Sequence, residues 1–148
     1  MGKNNDAFDF AAHEIKIDKL MENEFESKLL SNTKWRKCFS TLESVSPELQ
    51  VIWKFVGSKN QGVRNTLPAA IALEERYLNS RFWFGPCYYK EIEWLEFPAI
   101  GKLYGKENIP GSFFPQSIHT VKDLLSTVGQ WPFEETELGF RINGYVSK

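Results

Sequence analysis

Local catalytic motifs are missing from this chain of 148 residues. It has no GxxxxGKS/T loop, no GxGxxG turn and no GxSxG elbow, the short patterns that cradle phosphates, bind dinucleotides or expose a nucleophile. Histidine is scarce, with only His13 and His119, and HEIKI at 13–17 places Ile17 where a zinc-binding HExxH helix needs its second histidine. No catalytic residue, metal site or cofactor is therefore expected. Cysteine is equally scarce. Cys38 and Cys87 lie far apart without CxxC spacing, so they provide no disulfide framework, and Cys38 falls on an apolar stripe that suits a buried thiol. The opening MGKNNDAFDF lacks the apolar core of a signal peptide. No hydrophobic run approaches the roughly 20 residues that span a bilayer. Asp6 stands where a myristoylation signal after Gly2 carries Ser or Thr. These absences predict a cytoplasmic protein with no membrane partner.

Strong net charge is also lacking. The formal value is −1, so nucleic acid is not an expected partner. The distribution is uneven, with Lys34, Arg36, Lys37, Lys54, Lys59 and Arg64 concentrated in residues 34–66. That section reads as a solvated face, with a nucleic-acid patch as the competing reading.

Aromatics are abundant: 12 Phe, 5 Tyr and 5 Trp make up 15% of the chain. Such an excess signals either a dense core or an adhesive surface. Proline and glycine are both absent from Lys3 to Val45, which leaves room for helices. The spacing predicts one helix over 7–30, continued by Ile17, Met21, Phe25 and Leu29 at i+4. A cap is expected at Ser31-Asn32-Thr33. A second helix then places Trp35, Cys38, Phe39 and Leu42 on one face and ends at Ser46-Pro47. Leu49–Val56 alternates as a strand, with Val51, Trp53 and Phe55 on one side. Gly57–Asn65 reads as a polar loop, and 67–79 as a short helix from Pro68.

After Phe82-Trp83-Phe84 and a Gly85-Pro86 break, Tyr88–Phe97 reads as a continuous strand. In that reading Tyr88, Ile92 and Trp94 share one face, and Tyr89, Glu91, Glu93, Leu95 and Phe97 the other. Residues 98–116 read as loop. A last helix begins with Thr120 and Asp123 as a capping-box-like pair and stops at Gly129. Phe140 and Ile142 form a short final strand, followed by a turn or bulge at Asn143-Gly144. The order predicts one α+β domain over 1–148, a small mixed or antiparallel sheet flanked by N-terminal helices and one C-terminal helix. Residues 1–31 would be a helical extension and 32–148 the α+β core.

The chemically distinctive stretch is YYKEIEWLEFP, 88–98. Glu91 and Glu93 on one strand face would project about 7 Å apart. Paired carboxylates at such a spacing serve as acid and base in a hydrolase, hold a cation, or simply face water. Tyr89, Glu91, Glu93 and Leu95, extended by Trp83, would also make a protein-binding face for a basic partner. NTKWRKCF, FGPCYYKEIEWLEFP and GFRINGYV together resemble a family of small bacterial proteins of unassigned function. The resemblance covers roughly Asn32–Val146, and proteins of this size and character are similar to immunity proteins that neutralise toxins. It implies a non-enzymatic binder that occludes a basic toxin or effector. The alternative is a small hydrolase using the paired carboxylates.

Overall fold

The computed structural model describes residues 9–45, 49–59, 62–79, 86–102, 109 and 111–148. The fold is α+β, with three helices, an antiparallel five-stranded sheet and several two-stranded sheets among the described residues. Helix α1 spans Phe10–Glu24, capped by Asp9, whose carboxylate accepts from the Ala12 amide. The predicted helix over 7–30 is thus two elements, because Phe25–Lys28 is strand β1. Phe25 and Leu29 keep helical spacing, yet Phe25 is buried against Tyr145 in a separate small core.

Helix α2, Asn32–Glu43, starts at Ser31, whose hydroxyl accepts from the Lys34 amide. Trp35, Cys38, Phe39 and Leu42 are all buried, as their spacing predicts. The Ser46-Pro47 stop lies outside the described residues. Strand β2, Gln50–Phe55, pairs with β3, Val63–Thr66. The predicted polar loop over 57–65 therefore contains the start of a partner strand. Gly62 makes the return feasible, since its φ is +129° and a Cβ there would lie 2.5 Å from Ile52 Cγ2.

The predicted helix from Pro68 shortens to a single 3-10 turn, Ala70–Ala72. Strand β4, Tyr77–Leu78, pairs with β5, Cys87–Tyr88. The predicted continuous strand over 88–97 is broken. Tyr89–Glu91 forms a 3-10 turn, and only Ile92–Pro98 runs on as β6. Strands β7, Ile100–Lys102, and β8, Phe113–Pro115, make a hairpin within the stretch read as loop.

Helix α3, Ile118–Val128, has its N-cap at Ser117, three residues before the predicted Thr120 cap, and gives way to an extended Gly129. Strand β9, Phe133–Glu135, pairs with β10, Gly139–Asn143. After Gly144 the chain leaves the sheet, and β11, Tyr145–Ser147, pairs with β1.

The large sheet has the order β3-β2-β6-β10-β9. One face presents Val51, Trp53, Leu95, Phe97, Phe140 and Ile142 to the buried stripes of α2 and α3. Among the described residues, six aromatics are buried there: Trp35, Phe39, Trp53, Tyr89, Phe97 and Phe140. Phe39 stacks on Trp35, Trp53 and Tyr89, and Phe97 stacks on Phe140 at 4.9 Å.

Candidate binding groove

The four described candidate partner-binding residues, Tyr89, Glu91, Glu93 and Leu95, do not share a surface. Tyr89 and Leu95 are fully buried in the main core, and the Tyr89 hydroxyl donates to the Glu74 carbonyl at 2.6 Å. Burial pushes the Tyr89 phenol up to about 12. Trp83, with Phe82 and Phe84, lies outside the described residues. Glu91 and Glu93 do not form a pair on one face, for two local reasons. Glu91 ends the 3-10 turn, where its Oε2 accepts from the Tyr88 amide at 2.8 Å and its Oε1 from His13 Nε2 at 2.7 Å. Glu93 is the extra residue of a β-bulge, since Lys54 faces Trp94 while Phe55 faces Ile92.

That bulge also overturns the predicted sharing of a face by Ile92 and Trp94. It shifts the alternation by one, so Ile92 and Leu95, three apart, both reach the core. Glu93 and Trp94 turn to the opposite side. Glu93 there meets Lys54 Nζ at 3.0 Å, and the same ammonium donates to the carbonyls of Phe55 and Ser58. Each predicted carboxylate is thus committed to a structural partner.

The basic section is occupied in part: Lys54 holds Glu93, while Lys37 and Lys59 are exposed. Lys34 donates to the Gln130 carbonyl at 2.8 Å and sits 4.1 Å over the Trp131 ring, bracing the end of α3. Arg36 donates to the Glu75 carbonyl, and Arg64 to Gln50 Oε1. Both thiols are buried and held protonated: burial raises Cys38 to about 12, and burial followed by the nearby Glu91 charge raises Cys87 well above its ordinary value. No group of three or more metal-ligating side chains occurs among the described residues. None of the described helices is long and apolar enough to cross a membrane.

The sheet face turned away from α2 and α3 assembles residues that no local pattern joins. Register places Arg64, Ile52, Glu96, Arg141 and Glu134 side by side across all five strands, with Lys54, Trp94 and Asn143 in the neighbouring row. Glu96 is only 4% exposed, yet it is satisfied: Thr136 Oγ1 donates to one oxygen and Arg141 Nε lies 3.4 Å from the other. The Arg141 guanidinium carbon sits 3.9 Å from the Trp94 ring centroid. Stacking of this kind fixes the plane of an arginine and leaves its edge for recognition. Glu134 does not pair with a cation among the described residues; Asn143 donates to it at 3.0 Å.

Beside this row the sheet meets the β1–β11 ribbon, and the two enclose a groove of about 460 Å³. Trp94, Arg141, Glu134, Glu93 and Asn143 line the sheet side. Phe25, Leu29, Tyr145 and Val146 line the ribbon side, and Leu29 and Val146 are exposed there. Sequence reasoning missed Arg141 and Glu134 as site residues. The alternation Phe140-in, Arg141-out, Ile142-in was the available signal for the first.

The fold and groove define an α+β protein with a concave, mixed polar and apolar sheet face. The chain matches no protein-family model, no curated protein and no solved structure in the comparisons made.

Proposed function

We propose that the chain is a non-catalytic binding protein and that the groove between the sheet and the β1–β11 ribbon receives a protein partner. The observation that supports this reading is the composition of the groove. A rigid Trp94–Arg141 stack stands beside exposed Leu29 and Val146, with the Glu134 carboxylate at its edge unneutralised by any described cation. Aromatic and arginine anchors next to apolar contacts are typical of energetically dominant interface positions. The open carboxylate selects a basic group on the partner. An immunity-type role fits this chemistry, the carboxylate standing in for an anionic substrate while the apolar wall is buried. The paired-carboxylate hydrolase draws no support from this geometry, because Glu91 and Glu93 face different surroundings.

The test is affinity capture of the partner from extracts of the source cell, using the tagged chain and an E134K/V146D double variant. Both positions are exposed, so the circular dichroism spectrum should not change. We expect a stoichiometric protein partner with the parent chain, and at least about thirtyfold weaker binding by the variant. Capture of no stoichiometric partner, or equal retention by the variant, counts against the proposal.

A further inference from the structure

The two N-terminal helices are attached in different ways. Helix α2 buries four side chains almost completely in the main core, whereas among the described side chains of α1 only Ile17 reaches a comparable depth, with Leu20 and Met21 half-buried and Ile15 59% exposed. The other contacts of α1 among the described residues are polar. Glu14 accepts from Arg76 Nη2 at 2.7 Å and from Lys90 Nζ at 2.6 Å, and Asp18, one turn later, meets the same Lys90 at 2.8 Å. His13 reaches Glu91 from the same helix. The Arg76 and Asp18 ends of these pairs are exposed and weaken in salt, whereas Lys90 and Glu14 are half-buried and are screened less. A free helix of this length is marginal in water, so α1 would fray once released.

The attachment is also connected to the groove. Leu20 and Met21 pack on the small core of Phe25, Val56 and Tyr145. Phe25 and Tyr145 stack at 4.7 Å and form part of the groove lining, and the Tyr145 hydroxyl donates to the carbonyl of Lys90, the residue that α1 grips. The ribbon side of the groove is therefore supported from behind by α1.

We infer that α1 is an ionic strap that opens independently of the main core, and that its release loosens the β1–β11 side of the groove and so regulates what the groove holds. The regulatory half rests on the groove being the binding surface; the opening of the strap does not. The charge state of the latch agrees with the geometry. Hydrogen bonds from Lys90 and then Arg76 hold the Glu14 carboxyl below its ordinary value. Lys90 is held above its own value by Asp18 and Glu14 although burial opposes this.

The experiment is amide hydrogen exchange of the full chain, without any partner, at about 0.02 M and about 0.5 M sodium chloride, together with an E14Q/D18N variant at the lower salt. Expected is exchange at least about tenfold faster over 10–24 in high salt and in the variant, accompanied by faster exchange in 25–28 and 145–147, while α2, α3 and the five-stranded sheet stay protected. Protection of α1 that matches α2 and ignores both salt and the variant overturns the strap. Release of α1 with the ribbon still fully protected overturns the regulation. Release that coincides with loss of protection everywhere overturns independent opening. None of these outcomes depends on whether a partner is captured.

Discussion

Replacing Phe39 with alanine should cost about 3–5 kcal/mol, the range for emptying a large aromatic site in a packed core. Phe39 is fully buried and stacks on three aromatic rings, Trp35 at 5.9 Å, Trp53 at 5.7 Å and Tyr89 at 6.4 Å. These rings come from α2, β2 and the 3-10 turn before β6, so the cavity would lie where three elements meet. Such a site collapses poorly, because each wall is a rigid ring already held by other contacts. Against a total stability of about 5–15 kcal/mol for a domain, the variant should be marginal. Urea denaturation followed by tryptophan fluorescence should show a much lower midpoint at an unchanged slope. A midpoint shift corresponding to less than about 1 kcal/mol would mean that the aromatic cluster is not the keystone described here.

A Gly144→Val variant should lose at least about 3 kcal/mol, at the upper end for overpacking, for a reason unrelated to cavities. A Cβ at Gly144 would sit 2.6 Å from the Ile92 carbonyl oxygen, 3.1 Å from that of Glu93 and 3.2 Å from Trp35 Cζ2. Two of these three are backbone atoms, which cannot swing aside as a side chain would. The Gly144 amide also donates to the Glu93 carbonyl at 2.8 Å, which ties the exit of β10 to the bulge in β6. Displacing it should disturb the bulge and the ribbon together. Thermal denaturation provides the measure, and a transition within a degree or two of the parent would overturn the argument. The adjacent Asn143, half-buried with its amide on Glu134, supplies the contrast: Asn143→Ala removes one hydrogen bond and should cost far less.

The elements readable in the sequence are those in which burial follows one period. In α2 the apolar residues recur at 3.6-residue spacing and all go to one core; in β2 they alternate, and Val51 and Trp53 go in together. The misread elements break that rule. Phe25 continues the spacing of α1 but serves a different core through β1. Glu93 inserts one residue into β6, so a strict alternation puts Ile92 with Trp94 and Glu93 with Leu95, whereas Ile92 shares the core with Leu95 and Phe97. The partner strands β3, β7, β8 and β11 have only three or four residues each, too few to show a period. The groove was hidden for a further reason. Arg141, Glu96 and Glu134 are distant in sequence and become neighbours only through strand register, which depends on pairings that a local pattern does not encode.

The pairing of β1 with β11 has a kinetic consequence. Phe25 lies opposite Ser147, so this ribbon closes a loop of roughly 120 residues, among the most non-local contacts in the molecule. A short ribbon with little burial of its own offers small return for so large a closure until the five-stranded sheet has brought its ends together. The central sheet should therefore form first and the ribbon last. Pulse-labelled hydrogen exchange during refolding would register this as late protection of 25–28 and 145–147, and simultaneous protection of ribbon and sheet would refute it. On that order of events a chain can carry a complete core before it has a binding surface, and recognition begins only with the final step of folding.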